Sequence, residues 1–357
     1  MNKEWLRRTI RSFEPYVVPE IKENIVINAN ESPYNLFDFP EVKADFLARL
    51  SKTPSYHYPD PFAEELRAAL ASYVSCRPEE VLVGNGGDEI INIIANTFLN
   101  EGDTVLVHAP TFDIYGIDAQ VVGAKVIEVP DLPSFKRDQK ALLAAVRDIQ
   151  PKLTVICNPN NPTGELLPLS FLEDVLQATD NPVVVDEAYI EFSGSDSIIS
   201  KLSSYDNLIV IRTLSKAFGL AGVRVGYAVA QKDVIQALSL VKLVYNVSTL
   251  AQITALSAMK YRDMILAHNI PPTIAAREYV TAALKDIRGV TVFDSVTNFV
   301  LIRVPDGPAL VKALSDADIC VRFYKSAALQ NCLRITVTTK DVMEKVVRVV
   351  KEEVCHA

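Results

Sequence analysis

Over the first two-thirds of the chain, short apolar runs rich in β-branched residues alternate with longer amphipathic stretches. The runs are Val81-Leu-Val, Thr104-Val-Leu-Val, Lys125-Val-Ile-Glu-Val, Leu153-Thr-Val-Ile-Cys157, Pro182-Val-Val-Val-Asp186, Asn207-Leu-Ile-Val-Ile-Arg212 and Val225-Gly-Tyr-Ala-Val229. Most are continuous rather than alternating, the pattern of strands covered on both faces. Residues 88–99, 139–149 and 168–178 have helical periodicity and suit right-handed crossovers between them. A central, mostly parallel α/β sheet is predicted. After about Gln231 long helical patterns take over at 234–243, 250–267 and 271–287. Strand-like runs at 298–303, 320–323 and 333–337 follow, separated by a helical stretch at 308–316 and closed by a helix at 341–354. The pattern divides the chain into an N-terminal arm, 1–40, packing on the smaller domain, a large domain, 41–260, and a small α+β domain, 261–357.

Composition narrows the class. The 357 residues are 49% hydrophobic and 22% charged, which excludes a disordered or low-complexity protein and leaves a soluble globular chain. A net charge of −8 is the reverse of a general nucleic-acid binder's footprint, so no nucleic acid is expected. The five cysteines are odd in number and form no Cys-x-x-Cys pair, so neither a disulfide framework nor a metal site is expected. No run approaches the length of a membrane span and no apolar segment follows the basic residues of 1–11, so the expected location is cytoplasmic.

Three segments carry the chemistry. Cys157-Asn-Pro-Asn-Asn-Pro-Thr-Gly164 is a rigid irregular loop at the C-terminal end of a strand, where open α/β sheets place their ligands. The buried run 182–185 ends in Asp186-Glu187-Ala188-Tyr189, and a carboxylate at such a tip is costly without a cationic partner. In Arg212-Thr-Leu-Ser-Lys216-Ala-Phe-Gly-Leu-Ala-Gly-Val-Arg224-Val-Gly-Tyr227, Lys216 stands among small and apolar residues, an environment that lowers an amine's pKa as a nucleophile requires. Gly86-Gly87-Asp88, between a strand and a helix, offers backbone N–H groups to an anion. A dinucleotide fingerprint is disfavoured there because Glu89 replaces its last glycine.

In this order and spacing the three segments resemble the fold-type I aminotransferases, which use pyridoxal 5′-phosphate, from Tyr16 to about Thr339. Within that group, Asn28-Ala-Asn-Glu-Ser-Pro-Tyr34, Tyr58-Pro-Asp-Pro61, Gly84-Asn-Gly-Gly-Asp-Glu89 and Leu333-Arg-Ile-Thr-Val337 are most similar to the histidinol-phosphate aminotransferase family. The resemblance implies a mixed, mostly parallel seven-stranded sheet sandwiched by helices, with a smaller α+β C-terminal domain. It implies that Lys216 attaches the cofactor and moves a proton between the substrate Cα and the cofactor C4′. Asp186 would pair with the pyridine nitrogen, Asn161 and Tyr189 would donate to the phenolic oxygen, and Phe112 would stack on the ring. Gly86, Gly87, Asp88, Thr213, Ser215 and Arg224 would hold the phosphate, joined by Tyr58 from the neighbouring subunit of a homodimer. Arg334 would grip the anionic end of both substrates, assisted by Asn161, Tyr16 and Arg322, although Arg322 could equally make a surface ion pair.

The implied reaction passes the amino group of L-histidinol phosphate to 2-oxoglutarate, giving imidazole acetol phosphate and L-glutamate in two half-reactions of histidine biosynthesis. An aromatic-amino-acid transaminase, a threonine-phosphate decarboxylase and a catalytically silent ligand sensor are the competing readings. Two positions depart from the family pattern: Thr338 stands where a glycine commonly follows Arg-Ile-Thr-Val, and His57 where an arginine commonly precedes Tyr58. The first is expected to affect the backbone beside Arg334, the second the entrance to the site.

Overall fold

A computed structural model describes residues 3–14 and 20–356. Two sheets organise it. Strand β1 (Ile25–Ile27) belongs to the second of them, while β2 (Val81–Gly84), β3 (Thr104–Ala109), β4 (Lys125–Pro130), β5 (Leu153–Cys157), β6 (Val183–Asp186), β7 (Leu208–Thr213) and β8 (Gly226–Ala230) form the first. The first sheet runs in the order β2-β8-β7-β6-β5-β3-β4. Only β8 is antiparallel to its neighbours, so the other six strands point the same way and end at one edge. The sequence-based fold class is thus observed.

Helices cover both faces, as the continuous apolar runs require. Helices α1 (Pro40–Leu50) and α2 (Glu64–Val74) lie on one face, and α3 (Gly87–Phe98) and α4 (Ile114–Val122) lie on the other. Helices α5 (Gln139–Ile149) and α6 (Leu169–Gln177) join the first group, α7 (Lys232–Ser239) joins the second, and α8 (Thr249–Lys260) joins the first. Alternation along each strand sorts the two cores: Val183, Val185, Leu208 and Val210 face α2, α6 and α8, whereas Val184, Ile209 and Ile211 face α3 and α4.

The second sheet adds β9 (Thr291–Val292), β10 (Phe299–Arg303), β11 (Ile319–Phe323) and β12 (Cys332–Thr336) in the order β1-β11-β12-β10-β9. Helix α9 (Arg262–Lys285) packs on it with α10 (Gly307–Asp316) and α11 (Lys340–His356) through a separate apolar cluster. The arm divides. β1 pairs in parallel with β11, while Thr9 Oγ1 donates to Val121 O of α4, 2.9 Å away, so part of the arm lies on the first sheet's helices rather than on the smaller unit.

Helix boundaries after Gln231 differ from the expectation. The patterns at 250–267 and 271–287 are divided at Tyr261, not at the prolines, and α9 runs through Pro271 and Pro272. Those prolines remove two N–H donors from the ladder. The helix is held instead by a buried stripe, Ile265, Asn269, Thr273, Ala276, Val280 and Leu284, with Asn269 Nδ2 donating to Ala217 O at 3.0 Å. The predicted helix at 234–243 also stops early, at Ser239, leaving Leu240, Leu243 and Tyr245 exposed in an irregular segment.

Candidate active site

Because β2, β5, β6 and β7 end at one edge, their following residues converge there. The tip of β2 turns through Gly86, whose φ of 85° a glycine adopts without strain, into α3. Gly226 of β8 pairs with both Gly84 and Thr213, and a Cβ on it would lie 2.5 Å from Gly86 C and from Gly87 N. That close approach brings the N-terminus of α3 against the hydroxyls that follow β7. Thr213 Oγ1 is 2.9 Å from Ser215 Oγ and accepts from Ser215 N at 3.0 Å. Arg224, itself left-handed at φ 59°, donates from Nη2 to Asp88 Oδ2 at 2.9 Å and lies over the Gly86 backbone. Backbone N–H groups, two hydroxyls and a guanidinium therefore form one anion cradle. Asp88 contributes its carboxylate as a tether for Arg224, a role its backbone alone did not suggest.

Asp186, 5% exposed at the end of β6, accepts from Tyr115 OH at 2.6 Å and from Ala188 N at 2.9 Å. Among the described residues no cation pairs with it; Arg212 is bound instead to Glu187 (3.0 Å) and Glu191 (2.7 Å) on the opposite face of the sheet. Burial pushes the Asp186 carboxyl up to about 6 against the pull of those two hydrogen bonds. Phe112 meets Tyr115 edge to face beside it, with ring centroids 5.6 Å apart.

Lys216 Nζ donates to Ala29 O at 2.9 Å and lies 5.9 Å from the centre of the Tyr189 ring. Burial, reinforced by the like charge of Arg334, brings its amine down to about 8, so a substantial neutral fraction exists near neutral pH. Tyr189 OH accepts from Asn30 Nδ2 at 3.0 Å, and burial holds its phenol well above the ordinary value. Arg334 donates from Nη1 to Asn161 Oδ1 (2.7 Å) and from Nη2 to Asn28 O (2.6 Å), while its buried Nε has no partner among the described residues. The strip Asn28-Ala29-Asn30 thus ties together the lysine, the tyrosine and the arginine. The asparagine loop is rigid by its own bonds: Asn158 exchanges hydrogen bonds with both backbone groups of Leu167, and Asn160 Nδ2 donates to Thr163 Oγ1 and Pro110 O.

Among the sequence-derived candidates, Gly86, Gly87, Asp88, Phe112, Asn161, Asp186, Tyr189, Thr213, Ser215, Lys216 and Arg224 end or follow the strands of this edge, and Arg334 reaches it from β12 of the second sheet through Asn161. Arg322 of β11 is in register with Arg334, lies 5.7 Å from the centre of the Tyr324 ring, and opposes the burial that raises the Asp113 carboxyl. Tyr58 is 79% exposed and stacks on Tyr245 with centroids 4.5 Å apart, away from the rest within one chain. Tyr16 lies outside the described residues. Thr338 is not in the left-handed region, so its backbone makes no demand for a glycine. Sequence reasoning missed Tyr115 and Asn30. The first stands one helical turn beyond Phe112, and the second sits inside the Asn28–Tyr34 motif at φ 56°, a conformation that asparagine tolerates.

Pyridoxal 5′-phosphate fits this donor set: the cradle suits a phosphate, the unpaired carboxylate of Asp186 suits a protonated ring nitrogen, and the lowered amine suits an aldehyde. A family model described as aminotransferase class I and II matches residues 22–350. A histidinol-phosphate aminotransferase of Thermoanaerobacter pseudethanolicus is 37% identical over 354 residues, 99% of each chain. Another, of Ruminiclostridium cellulolyticum, is 38% identical over 346 residues, 96% of each. The crystal structure of histidinol-phosphate aminotransferase from Sinorhizobium meliloti, in complex with pyridoxal 5′-phosphate, superposes with a TM-score of 0.89 at 27% identity and covers 98% of both chains.

Proposed function

The chain belongs to the class I and II aminotransferases, and on that premise we propose that it transfers the amino group of L-histidinol phosphate to 2-oxoglutarate, giving imidazole acetol phosphate and L-glutamate. The observation that carries the substrate reading is Arg334, a buried cation whose unpartnered Nε and neighbouring Asn161 and Lys216 leave one place for an anionic substrate end. A planar guanidinium grips a carboxylate or a phosphate bidentately, so one residue serves both half-reactions. Arg322, in register beside it, adds a second cation toward a doubly charged substrate.

We assign the cofactor phosphate to Gly86, Gly87, Asp88 N–H, Thr213, Ser215 and Arg224, and the ring nitrogen to Asp186. Asn161 and Tyr189 serve the phenolic oxygen, and Phe112 packs on the ring. Bound there, pyridoxal 5′-phosphate supplies an electron sink for the pair released at the substrate Cα. With the cofactor bound, Lys216 would hold its aldehyde carbon, and once the substrate amine displaces the lysine its freed, neutral Nζ would take the proton from the substrate Cα. The negative charge of Asp186 would keep the ring nitrogen protonated. Tyr189, held by Asn30 Nδ2, would fix the position of its ring beside Lys216.

A homodimer completes the reading. Tyr56, Tyr58, Phe62, Leu240, Leu243 and Tyr245 are exposed, and their two segments touch through the Tyr58–Tyr245 stack and through Lys242 Nζ donating to Pro61 O at 3.0 Å. A contiguous apolar surface of this kind marks a protein interface. We place Tyr58 on the phosphate cradle of the partner. All five cysteines are free, in keeping with a reducing cytoplasm. No helix among the described residues is long and apolar enough to cross a membrane.

The test is a titration of the cofactor-loaded protein with histidinol phosphate, then with phenylalanine, in the absence of any oxo acid. Loss of the visible band of the lysine-bound cofactor at low histidinol phosphate, with glutamate formed once 2-oxoglutarate is added, is the expected result. A response to phenylalanine alone would reassign the substrate, and carbon dioxide release would replace transamination with decarboxylation.

A further inference from the structure

Asp186 is held by more than its position at the end of a strand. Tyr115 reaches it from α4, which lies across the sheet face, and at 2.6 Å its hydroxyl makes the shortest contact the carboxylate has. Both partners are buried. The tyrosine also neighbours the Cys157 sulfur, a weak acceptor, and is a poor acid, since burial and the nearby carboxylate raise its phenol well above the ordinary value. It remains a donor throughout the working range, and at 2.6 Å the Asp186 carboxylate, a far stronger acceptor than a thiol, accepts its hydrogen bond. The other groups facing this carboxylate oppose its charge or leave it neutral. Asp88 on α3 and Glu187 on the same strand exit disfavour the anion, and the Cys157 thiol of β5, pushed up to about 12 by burial, stays protonated beside it. Tyr189 is likewise neutral. Among the described residues, Tyr115 OH and the Ala188 N–H are the donors that stabilise the charged form.

We propose that Tyr115 is a positioning residue that keeps Asp186 ionised and oriented for the ring nitrogen of the cofactor, and so sets the lower pH limit of cofactor binding. This inference rests on the cofactor assignment made above. In apoprotein, Asp186 must be unprotonated to accept a protonated ring nitrogen. Affinity therefore falls about tenfold for each pH unit below the point at which Asp186 takes up a proton. Removing a charge-assisted donor disfavours the anion, and that break moves upward in pH by about one unit.

The experiment measures the dissociation constant of pyridoxal 5′-phosphate from apoprotein between pH 5 and 8.5, by fluorescence quenching, for wild type, Tyr115→Phe and Asp186→Asn. Tyr115→Phe conserves the ring and its packing against Phe112, and its thermal midpoint is recorded alongside. The expected outcome is an acid break in wild type, the same break displaced upward by about one unit in Tyr115→Phe, and its loss in Asp186→Asn. The cofactor phosphate and Lys216 titrate in every variant alike, so the displacement reads Asp186 alone. A Tyr115→Phe curve that is lowered uniformly at all pH values, with its break unmoved, would reduce the residue to a packing role and overturn the inference while leaving the cofactor assignment standing. Failure of wild-type apoprotein to bind the cofactor at any pH would overturn both.

Discussion

Lys216 is poised between two demands, a positive charge for attracting anions and a free electron pair for attacking an aldehyde, and its lowered pKa decides between them. The rate at which apoprotein captures pyridoxal 5′-phosphate covalently follows the neutral fraction of the amine. It should rise about tenfold per pH unit up to about 8 and level beyond, whereas an ordinary lysine would keep accelerating toward 10.5. Stopped-flow absorbance across that range checks it, and Lys216→Ala should show no covalent phase. A second titration concerns stability. Asp131 lies 3.6 Å from Arg137 Nε and 3.8 Å from His108 Nδ1, too far for hydrogen bonds, and burial raises its carboxyl to about 7. A carboxyl whose pKa is raised on folding stabilises fully below its unfolded value and loses that contribution as pH rises toward the folded one. Asp131→Asn should therefore leave stability unchanged near pH 4. It should gain progressively above that and reach on the order of 3 kcal/mol beyond pH 7, as read by denaturant unfolding at several pH values.

At the level of elements, the cradle depends on how closely β8 approaches the turn between β2 and α3. Gly226→Ala would place a Cβ 2.5 Å from backbone atoms of Gly86 and Gly87, which cannot move aside as a side-chain tip could. A Cβ at Gly222, in the turn 221–223 that precedes β8, meets nothing within 4 Å, so Gly222→Ala serves as the control. The first should weaken cofactor affinity by at least about tenfold, and the second should leave it unchanged, as equilibrium binding to apoprotein would reveal. Elements also set the limit of what sequence disclosed. The strand tips were legible because a charged or amide residue after a continuous β-branched run, as at Cys157-Asn158 and Val185-Asp186, is costly to bury without a partner and so points to a site. The donor behind Asp186 was not, because Tyr115 reads as one more apolar position of an amphipathic helix until α4 is laid across β6. The division between α8 and α9 was hidden for a related reason: Tyr261 carries no breaking residue, while the prolines that seemed to break the pattern are carried by a buried stripe.

On the scale of the whole molecule, the arrangement predicts complementation. If Tyr58 serves the partner's site, a mixed dimer of Tyr58→Ala and Lys216→Ala subunits contains one site with both residues intact. Remixing the two inactive variants at equal concentration should restore about a quarter of wild-type turnover per subunit, the share set by random pairing of two-fold-related chains. Absence of restored activity, with mixed dimers verified by mass spectrometry, would place Tyr58 in its own subunit's site.

The strip from Asn28 to Asn30 joins parts of the chain that are made far apart in time. Asn30 N donates to Thr336 Oγ1 across 306 residues, and Asn28 O receives Arg334 across the same interval. The strip that meets Lys216 is synthesised 306 residues before the strand that fixes it. The strands of the sheet carrying the cofactor cradle all precede β12, so that sheet can form while translation continues, but the substrate end of the site cannot close until β12 has been made. An immature chain can thus acquire its cofactor before it can recognise what it is to act upon.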